Sequence, residues 1–486
     1  MIKKQKLIFE KSKKGRSGFV FPDLDVPSKE FPGQYKRKKS LDLPEVSELD
    51  VVRHFTGLSN LNFSVDTGFY PLGSCTMKYN PKMAEVIAGL RGFKDHHPFL
   101  SVLDKGEEEC QGSLEVIYEI EKWIAEITGM DEVTTQPLAG AHGELAGVMV
   151  IAAYHKAKKQ DKKYMIVPDS SHGTNPATVT MAGYKVITIP TDEKGVMDID
   201  IFKEKMSDDV AGVMLTCPNT LGIFNPHIKE IADIAHSYDA LLYYDGANLN
   251  AIMGKVKPGE VGFDVIHVNV HKTFATPHGG GGPGAGPIGV TKKLTPFLPN
   301  PRIKKDNDGK FYLNNESAQS IGRIAPFFGN FNVLLKGYAY LLMMGKDGLI
   351  DVSEKAVLNA NYILENLKNY FEPAFDEICM HECVLSAKKQ KAENNVSALD
   401  IAKYLIENGV HPPTVYFPLI VKECMMIEPT ETENKETLDE FIEIMIKAAQ
   451  LCKTNPELLH NAPSNAPVNR PDETKAAREP DLKWQE

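Results

Sequence analysis

Cysteine is scarce in this chain. Seven residues (75, 110, 217, 379, 383, 424 and 452) are scattered over 486, an odd number with no paired spacing. That excludes a disulfide framework and fits a reducing compartment, so a cytoplasmic location is expected. Net positive charge is lacking too. With 55 Lys and Arg against 65 Asp and Glu the formal charge is −10, which argues against nucleic acid or an anionic membrane as the main partner. No apolar run approaches the ~18 to 20 residues of a membrane span; stretches such as 146–154 and 338–344 are among the longest. The first 16 residues are basic (Lys3, Lys4, Lys6, Lys11, Lys13, Lys14, Arg16), but neither an apolar segment nor a small-residue cleavage site follows. A secretory signal is therefore not expected, and the segment reads as a solvated or partner-bound arm. Internal repeats of 20 to 50 residues are also missing.

What is present is ordinary globular material. Hydrophobic residues at 42% and charged residues at 25% exclude disorder for most of the length, and the chain is long enough for about three domains. Residues 1–65 are rich in Pro and charge and read as an extension, with one helix signal where Ser47 precedes Val51, Val52 and Phe55. From about 112 to 290, short β-rich runs (165–167, 185–189, 210–215, 241–244, 265–270) alternate with helical stretches (145–156, 174–182, 228–235). Nearly all-apolar strands separated by helices imply a largely parallel sheet covered on both faces. The expected organisation is a large α/β domain over 66–325, a smaller α+β domain over 326–460 entered through a long helix at 332–367, and a tail over 461–486. Prolines and Asp306-Asn307-Asp308-Gly309 within 294–320 predict an exposed excursion with a hairpin.

The chemistry gathers at strand ends. The run Val265-Ile266-His267-Val268-Asn269-Val270-His271-Lys272-Thr273-Phe274 precedes a glycine-rich segment at 279–286. A lysine just past a buried strand sits at the carboxyl edge of a parallel sheet, where open α/β folds bind ligands, and can anchor an aldehyde. Leu241-Leu242-Tyr243-Tyr244-Asp245-Gly246-Ala247 brings an aspartate to the same edge. Alone, Asp245 would read as a cap; paired with His271 and Lys272 it supplies what pyridoxal phosphate demands, an imine lysine and an acid that keeps the ring nitrogen protonated. Gln136 to Glu144 leads into an apolar helix, so the N–H groups of Gly140, Ala141 and His142 can cradle a phosphate; the bland alternative is that these glycines permit tight helix packing. Asp169 to Pro176 puts His172 at the sheet edge, as a ring-stacking group or a simple hydrogen-bonder. Thr216 and Asn219, after the 210–215 strand, offer a hydroxyl and an amide to the cofactor's phenolic oxygen.

Other signals are weaker. Gly284-Ala285-Gly286-Pro287-Ile288-Gly289 matches a dinucleotide fingerprint but precedes a strand-like segment, so the match is accidental. Cys379, His381 and Cys383 lack a second ligand pair at zinc-site distance, and no metal is expected. Glu107-Glu108-Glu109 reads as a solvated helix start.

Taken together, Tyr70-Pro71-Leu72-Gly73-Ser74-Cys75-Thr76-Met77-Lys78-Tyr79-Asn80-Pro81, the 139–144 turn, Asp169 to Pro176, His271-Lys272-Thr273-Phe274, the glycine-rich run from Thr276 to Gly284 and Met426-Ile427-Glu428-Pro429-Thr430-Glu431-Thr432 resemble the glycine dehydrogenase (decarboxylating) subunit 2 family, the catalytic half of the split P-protein of the glycine cleavage system. The resemblance covers roughly 40 to 465. It implies a fold-type-I pyridoxal 5'-phosphate enzyme like the aspartate aminotransferases, paired with a subunit 1 in an α2β2 heterotetramer. The implied reaction removes CO2 from glycine and passes the aminomethyl group to the lipoyl arm of the H-protein. By the matching motifs, Lys272 carries the cofactor as an imine, Asp245 bonds the pyridine nitrogen, His172 stacks on the ring, and Gly140, Ala141 and His142 lie at the phosphate. Ser74, Cys75 and Thr76 belong to a segment resembling the family's active-site entrance loop, next to the substrate. Two residues depart from the pattern: Cys217, where Asn is expected, and Ala275, where Ser is expected. The rival readings are a pyridoxal-phosphate amino-acid decarboxylase or lyase without a lipoyl partner, and a non-catalytic scaffold of the same fold.

Overall fold

The computed structural model describes residues 5–39 and 41–482; Lys3 and Lys4 of the basic arm and the last four residues of the tail lie outside them. Seven strands build the main sheet: β1 (Glu132–Thr134), β2 (Tyr164–Pro168), β3 (Lys185–Ile189), β4 (Val210–Thr216), β5 (Leu241–Gly246), β6 (Val265–Val268) and β7 (Ile288–Val290). Their order is β1-β7-β6-β5-β4-β2-β3. The pairs from β3 through β6 are parallel, whereas β7 runs antiparallel to both β6 and β1. Alternation along β5 shows why the sheet is covered twice. Leu242 and Tyr244 join the core formed with helices Gln111–Thr128, Ile228–Ser237 and the start of Phe331–Leu367, while Leu241 and Tyr243 join the core under helix Gly140–Ala157. With both faces buried, the strands are the apolar runs that the sequence displays.

Strand β6 ends two residues earlier than expected. From Val270 the backbone turns into a short helix, Val270–Thr273, closed by the Thr273 N–H to Asn269 O at 2.9 Å and the Phe274 N–H to Val270 O at 3.0 Å. Lys272 therefore projects from a helical turn beyond the sheet edge. The expected hairpin exists as β8 (Arg302–Lys305) and β9 (Phe311–Asn314), with Asp306 Oδ1 accepting from the N–H groups of Asp308 (2.9 Å) and Lys310 (2.8 Å). Its tip, 305–310, is exposed as expected, while its base is docked. Ile303 and Phe311 are in the main core, Arg302 pairs with Glu132 at 3.0 Å, and the Leu313 N–H donates to Glu107 Oε1 at 2.8 Å. Glu107 is thus engaged, whereas Glu108 and Glu109 are exposed as expected of a solvated helix start. The 284–289 run enters β7 and opens no helix.

Helix Phe331–Leu367 leaves helical geometry once, at Gly345 (φ 60°), a left-handed position that suits a residue without Cβ. It belongs to the main core through Val333 to Val352 and to a second core from Ala360 to Leu367. That second core lies under an antiparallel sheet ordered β10-β11-β13-β12, made of β10 (Glu372–Pro373), β11 (Cys383–Ser386), β12 (Thr414–Val415) and β13 (Cys424–Ile427). Before entering the large sheet the chain already touches this unit: Phe69 is in its core and Leu72 bridges Ile427. Helix Glu48–Ser59 starts at Ser47 with a capping box closed by Asp50. Among the described residues no helix is long and apolar enough to cross a membrane.

Candidate active site

Three strand ends and one strap converge at the carboxyl edge of the large sheet. Asp245 closes β5 with 3% of its surface exposed. Its Oδ1 accepts the Ala247 N–H at 3.1 Å and lies 3.3 Å from His267 Nε2; its Oδ2 accepts Asn175 Nδ2 at 3.0 Å and Thr216 Oγ1 at 3.3 Å. Burial alone would raise this carboxyl, but His267, Asn175, the Ala247 N–H and the charge of Lys272 together hold it below the ordinary aspartate value. An anion kept dry and ionised is what a protonated ring nitrogen requires opposite it.

Lys272 Nζ donates to the Ser74 carbonyl at 2.7 Å. That acceptor is neutral and can be exchanged for a ligand at the cost of one hydrogen bond. Its charge reaches Asp245 and Glu144, and His172 is influenced by both Lys272 and Asp245. Lysine, aspartate and histidine therefore share one site. His172 is exposed, keeps Nδ1 3.2 Å from Thr174 Oγ1, and lies tilted at 5.5 Å from the Phe417 ring. Desolvation and then Lys272 lower its pKa, leaving a neutral, flat imidazole at the mouth.

Helix Gly140–Ala157 begins at the edge of the same site, and its first internal bond is the Gly143 N–H to Ala139 O at 2.9 Å. The N–H groups of Gly140, Ala141 and His142 precede that bond. A Cβ at Gly140 would stand 2.3 Å from Asn269 Oδ1, so the close approach of the β6 end requires glycine there. His142 Nδ1 accepts the Leu138 N–H at 3.2 Å and helps shape the turn. His271 Nδ1 accepts the Ala285 N–H at 3.4 Å, and burial presses its pKa down to about 4; it braces the glycine-rich loop.

Asn219 is largely engaged by the chain itself. Its Oδ1 accepts from the N–H groups of Leu221 (3.0 Å) and Ile223 (3.1 Å), and its Nδ2 donates to Gly195 O at 2.6 Å. The carbonyl oxygen is taken by its own turn and one N–H of the amide by Gly195, which leaves the second N–H as the only group it could offer a cofactor oxygen. Thr216 is likewise turned to Asp245, and Ala247 contributes its backbone N–H to the same carboxylate.

Five residues join the site that local motifs did not single out. His267, inside β6, bonds Tyr243 OH through Nδ1 at 2.9 Å while its Nε2 faces Asp245. Asn175 donates through one Nδ2 to Glu144 Oε2 (2.9 Å) and Asp245 Oδ2, and Glu144 also accepts Thr174 Oγ1 at 2.9 Å. Burial first, then Asp245, push the Glu144 carboxyl up to about 7. Glu382 and Glu428 hold the strap at 73–77: the Ser74 N–H donates to Glu382 Oε2 at 2.9 Å, and Thr76 donates to Glu428 through its N–H (3.1 Å) and hydroxyl (2.6 Å). Cys75 between them is half-buried, and burial raises its thiol pKa against the pull of Lys272.

Two family models match the chain: one described as the glycine cleavage system P-protein over residues 26–314, the other as the glycine dehydrogenase C-terminal domain over 352–467. A protein named glycine dehydrogenase (decarboxylating) subunit 2 in Caldanaerobacter subterraneus subsp. tengcongensis is 55% identical over 483 residues, with 98% of each chain covered. One of the same name in Thermotoga maritima is 53% identical over 478 residues, covering 98% of this chain and 99% of the other. Among solved structures, an inhibitor-bound glycine decarboxylase (P-protein) of the glycine cleavage system aligns at TM-score 0.69 and 21% identity, over 86% of this chain and 93% of that one. A cysteine desulfurase from Thermococcus onnurineus aligns at TM-score 0.60 and 14% identity, over 79% and 95%. These likenesses give the fold, the fold-type-I architecture expected from the sequence. On the family models and the full-length identities, the chain belongs to the glycine dehydrogenase (decarboxylating) subunit 2 family of glycine cleavage system P-proteins.

Proposed function

We propose that this protein decarboxylates glycine with pyridoxal 5'-phosphate anchored on Lys272 and passes the aminomethyl group to the lipoyl arm of an H-protein, working in the cytoplasm with a subunit 1 as α2β2. The observation that carries the reading is the meeting of Lys272 and a dry, ionised Asp245 at one sheet edge, with His172 under the influence of both. The residues fit the cofactor. Lys272 is held only by a carbonyl, the N–H groups of Gly140, Ala141 and His142 precede the first internal bond of helix Gly140–Ala157, and the Thr276 hydroxyl, four residues past Lys272, is buried with no partner.

When bound, the cofactor supplies a sink for the electron pair left as CO2 departs. Asp245 holds the proton on the pyridine nitrogen, and His267, Asn175 and Thr216 keep that carboxylate ionised and aimed. Lys272 would hold the cofactor and, as a neutral amine, would move protons at its Nζ. Gly140, Ala141 and His142 bind the phosphate through backbone N–H groups. His172 would lie against the cofactor's face and, with the strap at 74–76, would exclude water from the site.

Borohydride reduction of the cofactor-loaded protein, followed by peptide mapping, should place the label on Lys272, and Lys272→Ala should abolish the visible absorbance. A label elsewhere, or an unchanged spectrum in the variant, would overturn the assignment. Exchange of labelled bicarbonate into glycine should require subunit 1 and lipoylated H-protein. Vigorous turnover of another amino acid by this chain alone would favour a decarboxylase or lyase instead.

A further inference from the structure

Strands β11 and β13 pair antiparallel with Cys383 opposite Ile427. One step beyond that pair, Glu382 and Glu428 come face to face, and neither has any exposed surface. Two carboxylates directly opposite on paired strands repel, and in a site without water they do not both ionise. Their surroundings tell them apart. Both Glu428 oxygens accept from Thr76, so Glu428 is placed to be the anion. Glu382 accepts the Ser74 N–H on Oε2 and has no partner on Oε1, an oxygen free to carry a proton.

The groups around the pair bring little other charge. His381 lies 3.6 Å from Glu382 Oε1, and burial presses its pKa down to about 3, so it stays neutral. Burial likewise keeps the thiols of Cys75, Cys379, Cys383 and Cys424 protonated. Lys78 is neutralised by Glu431 at 2.6 Å. Lys272 remains, and its ammonium acts on this pair as well as on Asp245.

The same two carboxylates fix a strained segment. Ser74 (φ 65°) and Thr76 (φ 46°) both sit in the left-handed region, which non-glycine residues hold only when their surroundings impose it. The Ser74 carbonyl receives Lys272 Nζ at 2.7 Å, and Thr414 Oγ1 fastens Gly73 O at 2.8 Å. We propose that Glu382 and Glu428 hold one proton between them and act as positioning residues for Lys272, pinning the strap whose Ser74 carbonyl receives its Nζ. The clamp bears on catalysis only if Lys272 anchors the cofactor, so its test is made on the full chain before cofactor is added.

Two readings decide it: the alkylation rate of Cys75, mapped by peptide mass, and the infrared band of a buried protonated carboxylic acid at pH 8. At that pH Glu121 and Glu144, both pushed up to about 7, are mostly ionised. Glu382→Gln keeps an acceptor for Ser74 but cannot carry the acid proton, so it should delete the band and leave Cys75 labelling within about threefold. Glu428→Gln removes the negative charge behind both Thr76 bonds and should raise labelling about tenfold or more, the scale of losing charge-assisted bonds to a buried anion. Should Glu428→Gln fail to fold, Thr76→Ala should raise labelling and Thr76→Ser restore it. Equal labelling in the two glutamine variants, a band unaffected by Glu382→Gln, or no difference between Thr76→Ala and Thr76→Ser would overturn the proposal. So would a zinc ion that binds the wild type and is lost with Glu382→Gln, because His381, Glu382 and Glu428 offer ligand atoms within 4.8 Å of one another.

Discussion

Replacing Glu144 by Gln should make the protein more stable at pH 8 and leave it within about 1 kcal/mol of the wild type at pH 5. The folded state holds this carboxyl at about 7, against an ordinary 4.5. Between those values the folded chain keeps a proton that the unfolded chain has released, so stability falls as pH rises through the window, and the loss is complete above about 7. Each unit is worth about 1.4 kcal/mol, so the window of roughly 2.5 units amounts to about 3 kcal/mol. Gln at this position never titrates. It is nearly isosteric and keeps both contacts: its Oε1 can accept Asn175 Nδ2, and its Nε2 can donate to Thr174 Oγ1, whose hydroxyl rotates to accept. The lower edge of the window therefore sets the two proteins equal, and by pH 8 the variant should lead by about 2 to 3 kcal/mol. Glu121, also pushed up to about 7, titrates identically in both and cancels. Urea unfolding of wild type and Glu144→Gln at half-unit steps from pH 4.5 to 8.5 measures this directly. Parallel curves, with the same difference at both ends, would show that Glu144 holds no extra proton.

Two further outcomes follow from burial and close approach. Lys78→Met should cost about 3 to 5 kcal/mol by stranding Glu431, whose pair exposes 1% and 7% of its side chains; the double variant with Glu431→Gln should cost less than the sum of the singles by about 1 to 3 kcal/mol in urea unfolding. Strict additivity would mean the pair carries no coupling. Gly286→Ala would set a Cβ 2.0 Å from Ala139 O and 3.1 Å from Gly140 N, forcing the phosphate turn apart. Equilibrium dialysis should then show about tenfold or greater loss of affinity for pyridoxal phosphate, the scale of ~1 to 3 kcal/mol for an overpacked site; unchanged affinity would move the phosphate elsewhere.

The parts of the site visible in the sequence are those whose meaning is local. Asp245 and Lys272 stand just past apolar runs, and a parallel sheet brings such ends to one edge whatever else the chain does. Gly140 reads as a cradle because a small-residue turn opens a helix. Glu382 and Glu428 carry no such sign: 46 positions apart in sequence, they become neighbours only through the register of β11 and β13, which pattern alone does not set. His267 was hidden inside an apolar strand, where a histidine looks like core. Asn219 shows the opposite case, an amide in a loop whose oxygen is already taken by its own turn. The antiparallel course of β7 was equally illegible, because three apolar residues give no direction.

From residue 346 to Leu367 one unbroken helical stretch holds a seat in each of two cores, leaving the first at Val352 and entering the second at Ala360. It works as a driveshaft. Inserting a single residue between those seats would turn the far sheet by about 100° and shift it by about 1.5 Å, swinging Glu428 away from Thr76 while both cores stay whole. The chain thus sets the alignment of its two halves by counting residues along a rod, and length in that stretch is as strictly constrained as any side chain at the site.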